Sequence, residues 1–504
     1  MSTAGHVVVP LEGFTASREQ FATVLAFLDG AEAAAASHGE LEDRLQVQSR
    51  ELFRRLYQDH LDLRATRERR VQVVSADGTA RPRAENGHTR ELSTVFGQVQ
   101  VARIAYRAAE RGQSNLHPAD AGLNLPAEKH SHGLRRLAAV EATRGSFDDA
   151  VDAVRRSTGQ QVGKRQLEGL ASQAALDVEG FYAQRKPPPG ASEDLLVLSC
   201  DGKGVVMRSD ALRPATAASA AKATPKLTTR LSKGEKRNRK RMAEVGAVYD
   251  ATPAARIPTD ILPTTDDQHE RAPGPVTTNK WLTASVVDDA ASVVGHIFAE
   301  AQRRDPTHSR TWIALVDGNN HQINRITAEA QAHQVPVSIT IDFIHVLEYV
   351  WKAAWCFFAE ADPAAETWVQ DKAKAILAGK ATRVAGAIRR QATTAGLEAA
   401  RRAGADICAR YLTNKAPYLD YPTALTNGWP IATGVIEGAC RHLVKDRMDI
   451  TGARWGLPGA EAILKLRAVR SNDDFDDYWR YHLDQEQRRV HRSRYADNVI
   501  PQAA

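Results

Sequence analysis

Residues Leu195-Leu-Val-Leu-Ser-Cys-Asp-Gly202 decide the fold. A short, continuous apolar run that ends in an acid is the pattern of a buried strand with a polar tip. The pattern recurs at Trp312-Ile-Ala-Leu-Val-Asp317 and at Val337-Ser-Ile-Thr-Ile-Asp342, with a helical pattern through Ile326 and Ala330 between them. Two further strands are expected over residues 244–249 and 281–287, followed by a helix over about 290–303. The resulting order, β-β-β-α-β-α-β, predicts an α/β domain, and strand-end acids in an open sheet lie near the edge where sites tend to form.

Downstream, a long helical stretch runs to about Tyr411 and leads to Ile431-Ala-Thr-Gly-Val-Ile-Glu-Gly-Ala-Cys-Arg-His-Leu-Val-Lys-Asp-Arg-Met448. Gly434 opens a helix whose apolar positions are Val435, Ile436, Ala439, Leu443 and Met448. On it Glu437, Arg441 and Lys445 follow one another at helical-turn spacing. Taken alone, that is a solvated ladder of weak i,i+4 pairs; the acids upstream give Glu437 a second reading.

Upstream, Lys186-Pro-Pro-Pro-Gly190 is a stiff linker and the clearest boundary in the chain. Before it, residues 18–70 are helix-rich, with Phe21, Val24, Leu25 and Leu28 on one face and Leu45, Leu52, Leu56 and Tyr57 on another. Residues 71–74 and 93–106 are β-rich, the second alternating through Val95, Val99, Val101 and Ile104. Ser146-Phe-Asp-Asp149 is a capped helix start, and that helix stops near Thr158-Gly159. A second helix is expected from about Val162 to Tyr182. Two short helices around a Gly-containing turn fit either a helix-turn-helix, with Lys164 and Arg165 meeting DNA, or an ordinary helical hairpin.

The chain has 504 residues and implies two to four domains. Its net charge of +6 and pI near 9.1 tilt mildly toward polyanions. The excess is concentrated in residues 208–242, expected to be loosely ordered, where Lys222, Lys226, Arg230, Lys233, Lys236, Arg237, Arg239, Lys240 and Arg241 are offset, between Lys222 and Arg241, by Glu235 alone. Four well-separated cysteines argue against a disulfide framework and a sequence-visible zinc site. No apolar run approaches the roughly 20 residues that span a bilayer, and Met1 to Pro10 lacks signal-peptide character. A soluble, cytoplasmic protein is expected, and the C-terminal tail from Asn472 is expected to end frayed.

Asp201, Asp317 and Asp342 at strand ends, with Glu437 on a late helix, form a candidate set of hard oxygen ligands for Mg²⁺. Clustered carboxylates repel without a cation, and two ions roughly 3.5–4 Å apart can serve phosphodiester transfer. The neighbouring basic segment suits a polyanion. Each acid also has a plainer reading: Asp201-Gly202 and Asp317-Gly318 are turn dipeptides, and Asp342 can cap the helix beginning at Phe343.

The element order and these acids resemble the ribonuclease-H-like DDE transposases. More narrowly, the chain resembles the Kra-type insertion-sequence transposases of the Mutator-like group, through L-S-C-D-G-K-G-V, A-L-V-D-G, I-D-F-I-H-V-L-E-Y-V-W, G-x-I-E-G-x-C-R-x-L-V-K-x-R-M and T-G-A-R-W. The resemblance covers residues 195–470 most strongly. It implies a ribonuclease-H-like catalytic domain with an all-α insertion, preceded by a mostly helical DNA-binding region. It also implies that Asp201, Asp317 and Glu437 hold two Mg²⁺ or Mn²⁺ ions. Asp342 and His345 would form an accessory Asp-x-x-His pair, although His345 also reads as a histidine packed in a first helical turn.

The expected boundaries are 1–75 (helical), 76–190 (small β plus helix-turn-helix-like), 191–345 (core), 346–430 (helical insertion), 431–475 (last catalytic helix) and 476–504 (tail). Arg441, Lys445, Arg447 and Arg454 are expected to face DNA phosphates. Trp455 either stacks on an unpaired base or belongs to the core, and Asn319, Asn320 and His321 either contact a DNA end or form a polar loop. The resemblance further implies double-stranded DNA as partner, at least a homodimer on it, and association with the nucleoid. Two other functions share these features: a nuclease that cleaves without joining, and a non-catalytic end-binding regulator.

Overall fold

The computed structural model describes residues 13–109, 112–187, 190–222, 235, 239–262, 270–450 and 452–502. The chain forms two compact units, Met1–Ala183 with Phe475–Ala504, and Gln184–Asp474. Among the described residues no helix is long and apolar enough to cross a membrane.

The first unit opens with helices Thr15–Asp29 and His38–Arg67, the latter started by a reciprocal Ser37–Glu40 cap. Strands β1 (Arg83–Thr94) and β2 (Gly97–Arg107) form an antiparallel hairpin with an irregularity between Glu85 and His88. The β-rich stretch 93–106 therefore straddles a turn instead of forming one strand. Most of β1 is polar (Arg-Ala-Glu-Asn-Gly-His), which hid it from a hydrophobic pattern. Residues 71–74 contribute a single bridge, Val74 to Ala80. Leu61 of the long helix packs with Leu92, Val99, Val101 and Leu125.

Three helices follow: His132–Arg144, Phe147–Thr158 and Lys164–Ala174. Ser146 caps the second, and Gly159, at φ 72°, ends it in the left-handed region. The helix expected to run to Tyr182 breaks after Ala174 and resumes as Val178–Gln184. Much of the tail is regular structure, and its last two residues, 503–504, lie outside the described residues. Helix Phe475–Val490 buries Tyr478, Trp479, His482 and Glu486 in this unit. Arg135 pairs with Glu486 at 2.9 Å, and Asp177 bonds His482 at 2.6 Å and Arg489 at 2.8 Å.

The second unit is built on a five-stranded mixed sheet of order β5-β4-β3-β6-β7. Its strands are β3 (Leu195–Val206), β4 (Lys240–Thr252), β5 (Val276–Ser285), β6 (Trp312–Val316) and β7 (Val337–Ile341). The first three are antiparallel neighbours; β6 lies parallel to β3, and β7 parallel to β6. All five residues of β6 are buried, as its unbroken apolar run requires. Helix Ala290–Arg304, started by Asp289, packs on β3 and β4. The expected helical stretch consists of Phe343–Ala354, Pro363–Leu377, Ala381–Thr394, Ala399–Asn414 and Tyr421–Thr426. Helix Gly434–Ala439 then packs on β3 and β4, and Leu457–Ser471 on β5.

Candidate metal centre

The sheet register brings three acids to one level. Ser199 pairs with Leu315, and Leu315 with Thr340. Asp201, Asp317 and Asp342, each two residues beyond these partners, are thus placed at the same end of β3, β6 and β7, with Asp317 and Asp342 just past the last residues of their strands. Asp317 and Asp342 follow the last residues of their strands, as their sequences predict. Asp201 does not: β3 continues through it to Val206, with Asp201 opposite Val245 of β4. The turn reading of Asp201-Gly202 is therefore wrong. Because β6 ends at Val316, Asp201 lies where β3 has lost its neighbour on one side.

Each carboxylate has local partners. Asp201 Oδ1 accepts from the Gly202 N–H at 2.7 Å, and Asp317 Oδ1 from the Asn319 N–H at 2.9 Å. Asp342, 2% exposed, caps helix Phe343–Ala354 by accepting from the Ile344 N–H at 2.7 Å. Its other oxygen accepts from both the backbone N–H (3.2 Å) and the hydroxyl of Thr433. Thr433 immediately precedes the Glu437 helix, so Asp342 fastens the end of β7 to the start of that helix.

The Glu437 helix reaches Asp201 through Cys440, whose Sγ–H donates to Asp201 Oδ2 at 3.4 Å. Burial, with Asp201 next in weight, pushes the Cys440 thiol well above its ordinary range, so it stays a neutral donor. From Cys440 to Lys445 the helix widens into a π-helix, which breaks helical-turn spacing. The expected Glu437–Arg441–Lys445 ladder is absent: Arg441 and His442 turn to Asp446, at 3.8 and 3.3 Å. Glu437 is exposed. Among the described residues, Asp201, Asp317 and Glu437 take part in no ion pair.

Among those residues, too, no three His, Cys, Asp or Glu side chains are gathered as a ready-made metal site. The chemistry of the donors nonetheless suits a hard divalent ion. Asp201 and Asp317 offer oxygens from neighbouring strands, uncompensated by any bonded cation, and Glu437 stands one helical turn from the Cys440 that touches Asp201.

Several contributors were not legible in the sequence. Tyr411 Oη–H donates to the Asp317 carbonyl at 3.3 Å, and its ring stacks on Tyr349 at 3.9 Å. Lys415, 8% exposed, donates from Nζ to Asn320 Oδ1. Burial draws its ammonium below the ordinary lysine range, and Asp317 opposes that shift. Glu244 on β4 faces Gly202; burial, reinforced by Asp201, raises its carboxyl. His345 is one-third exposed in the first turn of its helix, 3.9 Å from Glu348, with its ring 5.5 Å from that of Tyr349.

The expected DNA-facing residues divide. Arg441, Lys445 and Arg454 are exposed. Arg447 is not: it is 2% exposed, with its guanidinium 4.7 Å over the Trp455 ring. Trp455 belongs to the core at 6% exposure, bridged to Met207 and donating from Nε1 to the Met448 carbonyl at 3.0 Å. Lys240 and Arg241 lie in β4 opposite Val206 and Val205, and Arg241 Nε donates to the Val286 carbonyl at 2.5 Å. Arg239 is half-buried just before that strand. Lys236 and Arg237 lie outside the described residues. Arg165 is exposed, and Lys164 pairs with Asp148 at 2.7 Å. Compared with known proteins, the chain matches no family model and no curated protein.

Proposed function

We propose that the chain is a DDE-type DNA transposase of an insertion sequence, with a ribonuclease-H-like catalytic unit, acting on double-stranded DNA in the cytoplasm near the nucleoid. The observation that carries the reading is the placing of Asp201, Asp317 and Asp342 at the same end of three adjacent strands, with the Glu437 helix tied to Asp201 and Asp342 through Cys440 and Thr433. The strand order β5-β4-β3-β6-β7, three antiparallel strands followed by two parallel ones, supports the fold. Exposed Arg441, Lys445 and Arg454, in the segment that follows Glu437, support a polyanionic substrate. Two DNA ends must be held together, which favours at least a homodimer on DNA.

In this reading Asp201 and Asp317 hold Mg²⁺ or Mn²⁺ between them, and Glu437 completes the set. The ions supply activation of the attacking oxygen and stabilisation of the leaving one. The chain orients the carboxylates and the phosphate backbone. Asp342 is a positioning residue: it fixes the Glu437 helix through Thr433.

The test uses a plasmid carrying the element's ends, purified protein and Mg²⁺ or Mn²⁺. Wild type should nick, excise and join DNA, and Asp317→Asn should lose about 10³-fold or more of joining while still binding DNA. Cleavage without joined products would replace the reading by a nuclease. Binding with neither cleavage nor joining would replace it by a regulator.

A further inference from the structure

Lys415 is a buried lysine that, among the described residues, has no carboxylate partner. It follows helix Ala399–Asn414 and is 8% exposed. Its ammonium has three N–H donors; the contact found for it is with the neutral amide oxygen of Asn320, and among the described residues it takes part in no ion pair. Holding such a charge out of water is costly unless it is matched by an anion. Asn320, which Lys415 bonds, lies just after Asp317 in the chain, and the field of Asp317 reaches Lys415. The surroundings are also fixed. Tyr411, one turn earlier on the same helix, is bonded to the Asp317 carbonyl and stacked on Tyr349. Asn320 begins the helix that follows Asp317.

A largely buried lysine with spare donors, tied to Asn320 close after Asp317, suits an anion shared with the metal site proposed at that carboxylate. We propose that Lys415 binds a non-bridging oxygen of the phosphodiester held at Asp317. The helical segment before Glu437 would then supply a substrate contact and would not be merely a spacer. This rests on the function proposed above.

The test is a cycle between protein and DNA, with binding measured in Ca²⁺, an oxygen-ligated ion that fills the site, in place of Mg²⁺, under conditions where no cut product forms. The probes are two duplexes carrying the element's end, one natural and one with a single uncharged methylphosphonate at the mapped cleavage position. Lys415→Met should weaken binding to the natural duplex about tenfold or more and leave binding to the methylphosphonate duplex equal to that of wild type. Lys415→Arg should restore part of the loss on natural DNA. Thermal melting of each variant separates these effects from misfolding. An equal loss on both duplexes, or no loss on either, would overturn the role of Lys415 while leaving the transposase reading intact, provided wild type cleaves in Mg²⁺. A wild type that neither cleaves nor distinguishes the two duplexes would overturn both.

Discussion

Cys440 donates a hydrogen bond to Asp201 across 239 residues of chain, Sγ to Oδ2 at 3.4 Å. Cys440 is buried, and its thiol is held neutral by burial and by the carboxylate itself. The contact joins β3 to the helical segment that follows Glu437. Cys440→Ser keeps a donor of similar size and should retain Mn²⁺ binding within about threefold, because a hydroxyl replaces the thiol in one neutral–charged bond. Cys440→Leu adds bulk in a packed site and should cost about 1–3 kcal/mol and weaken Mn²⁺ binding about tenfold or more. Titration of Mn²⁺ by electron paramagnetic resonance, beside thermal melting, checks both. Equal Mn²⁺ affinity in the Leu variant would detach Cys440 from the site.

Asp342 is a cap and a clamp rather than a free ligand in this structure, and the two roles separate by mutation. Asp342→Asn keeps one carbonyl oxygen for the Ile344 N–H but replaces the oxygen that receives Thr433. Asp342→Ala loses both. We expect Ala to destabilise the protein by about 2–4 kcal/mol and Asn by about half as much. Thr433→Val should reproduce most of the Asn effect. Denaturant unfolding measures this, and indistinguishable Asn and Ala variants would contradict the clamp.

Gly318 has φ +90°, and a Cβ there would lie 2.6 Å from Tyr411 Oη and 3.0 Å from Ile341 Cδ1. Both the backbone conformation and the space demand glycine. Gly318→Ala should cost about 1–3 kcal/mol. Tyr411→Phe removes the nearer atom, so the double variant should recover part of that loss. Strict additivity of the two changes in denaturant unfolding would show that Tyr411 does not close over the strand end.

What could be read from the sequence was what is local. The apolar runs before Asp317 and Asp342 have five consecutive strand residues each, so strand and tip were both visible. Asp201 looked like a tip because Gly202 follows it, but whether a strand continues depends on its neighbours, and β4 continues where β6 stops. Lys415 lies 95 residues from Asn320, and Thr433 lies 91 from Asp342; no periodicity reports such pairs. Trp455 follows an exposed arginine in a basic motif, yet a bridge to Met207 draws it inside. The helix Phe475–Val490 is charged enough to pass for a tail, and its buried face is completed by residues more than 300 positions earlier, such as Ala174, which accepts from the Tyr478 hydroxyl.

The first unit should weaken as pH falls from about 6.5 to 4. His132 is held at about 4, chiefly by burial and then by Arg135. Its ring fits the neutral form, with Nε2 bonded to the Asn124 carbonyl at 2.7 Å and Nδ1 facing an Arg135 N–H at 3.4 Å. His117 is likewise held at about 4, chiefly by burial, with Asp120 opposing. Both rings have folded values below the unfolded 6.5, so the unfolded chain binds more protons in this window. Their contribution is complete above 6.5 and is lost on the way down to 4. Each contributes at most about 3 kcal/mol, and the less buried His117 contributes less. Glu68, whose carboxyl is raised by burial, works in the opposite direction near its own range. Asp177, at about 2, acts in a lower window, losing its contribution only between 3.8 and 2. Thermal melting from pH 7 to 4.5 should therefore show a steady fall in the first unit's Tm, and His132→Gln should make it shallower, the remainder being carried by His117, His130 and His491, which burial also lowers. A variant curve parallel to wild type would mean that His132 does not carry the dependence.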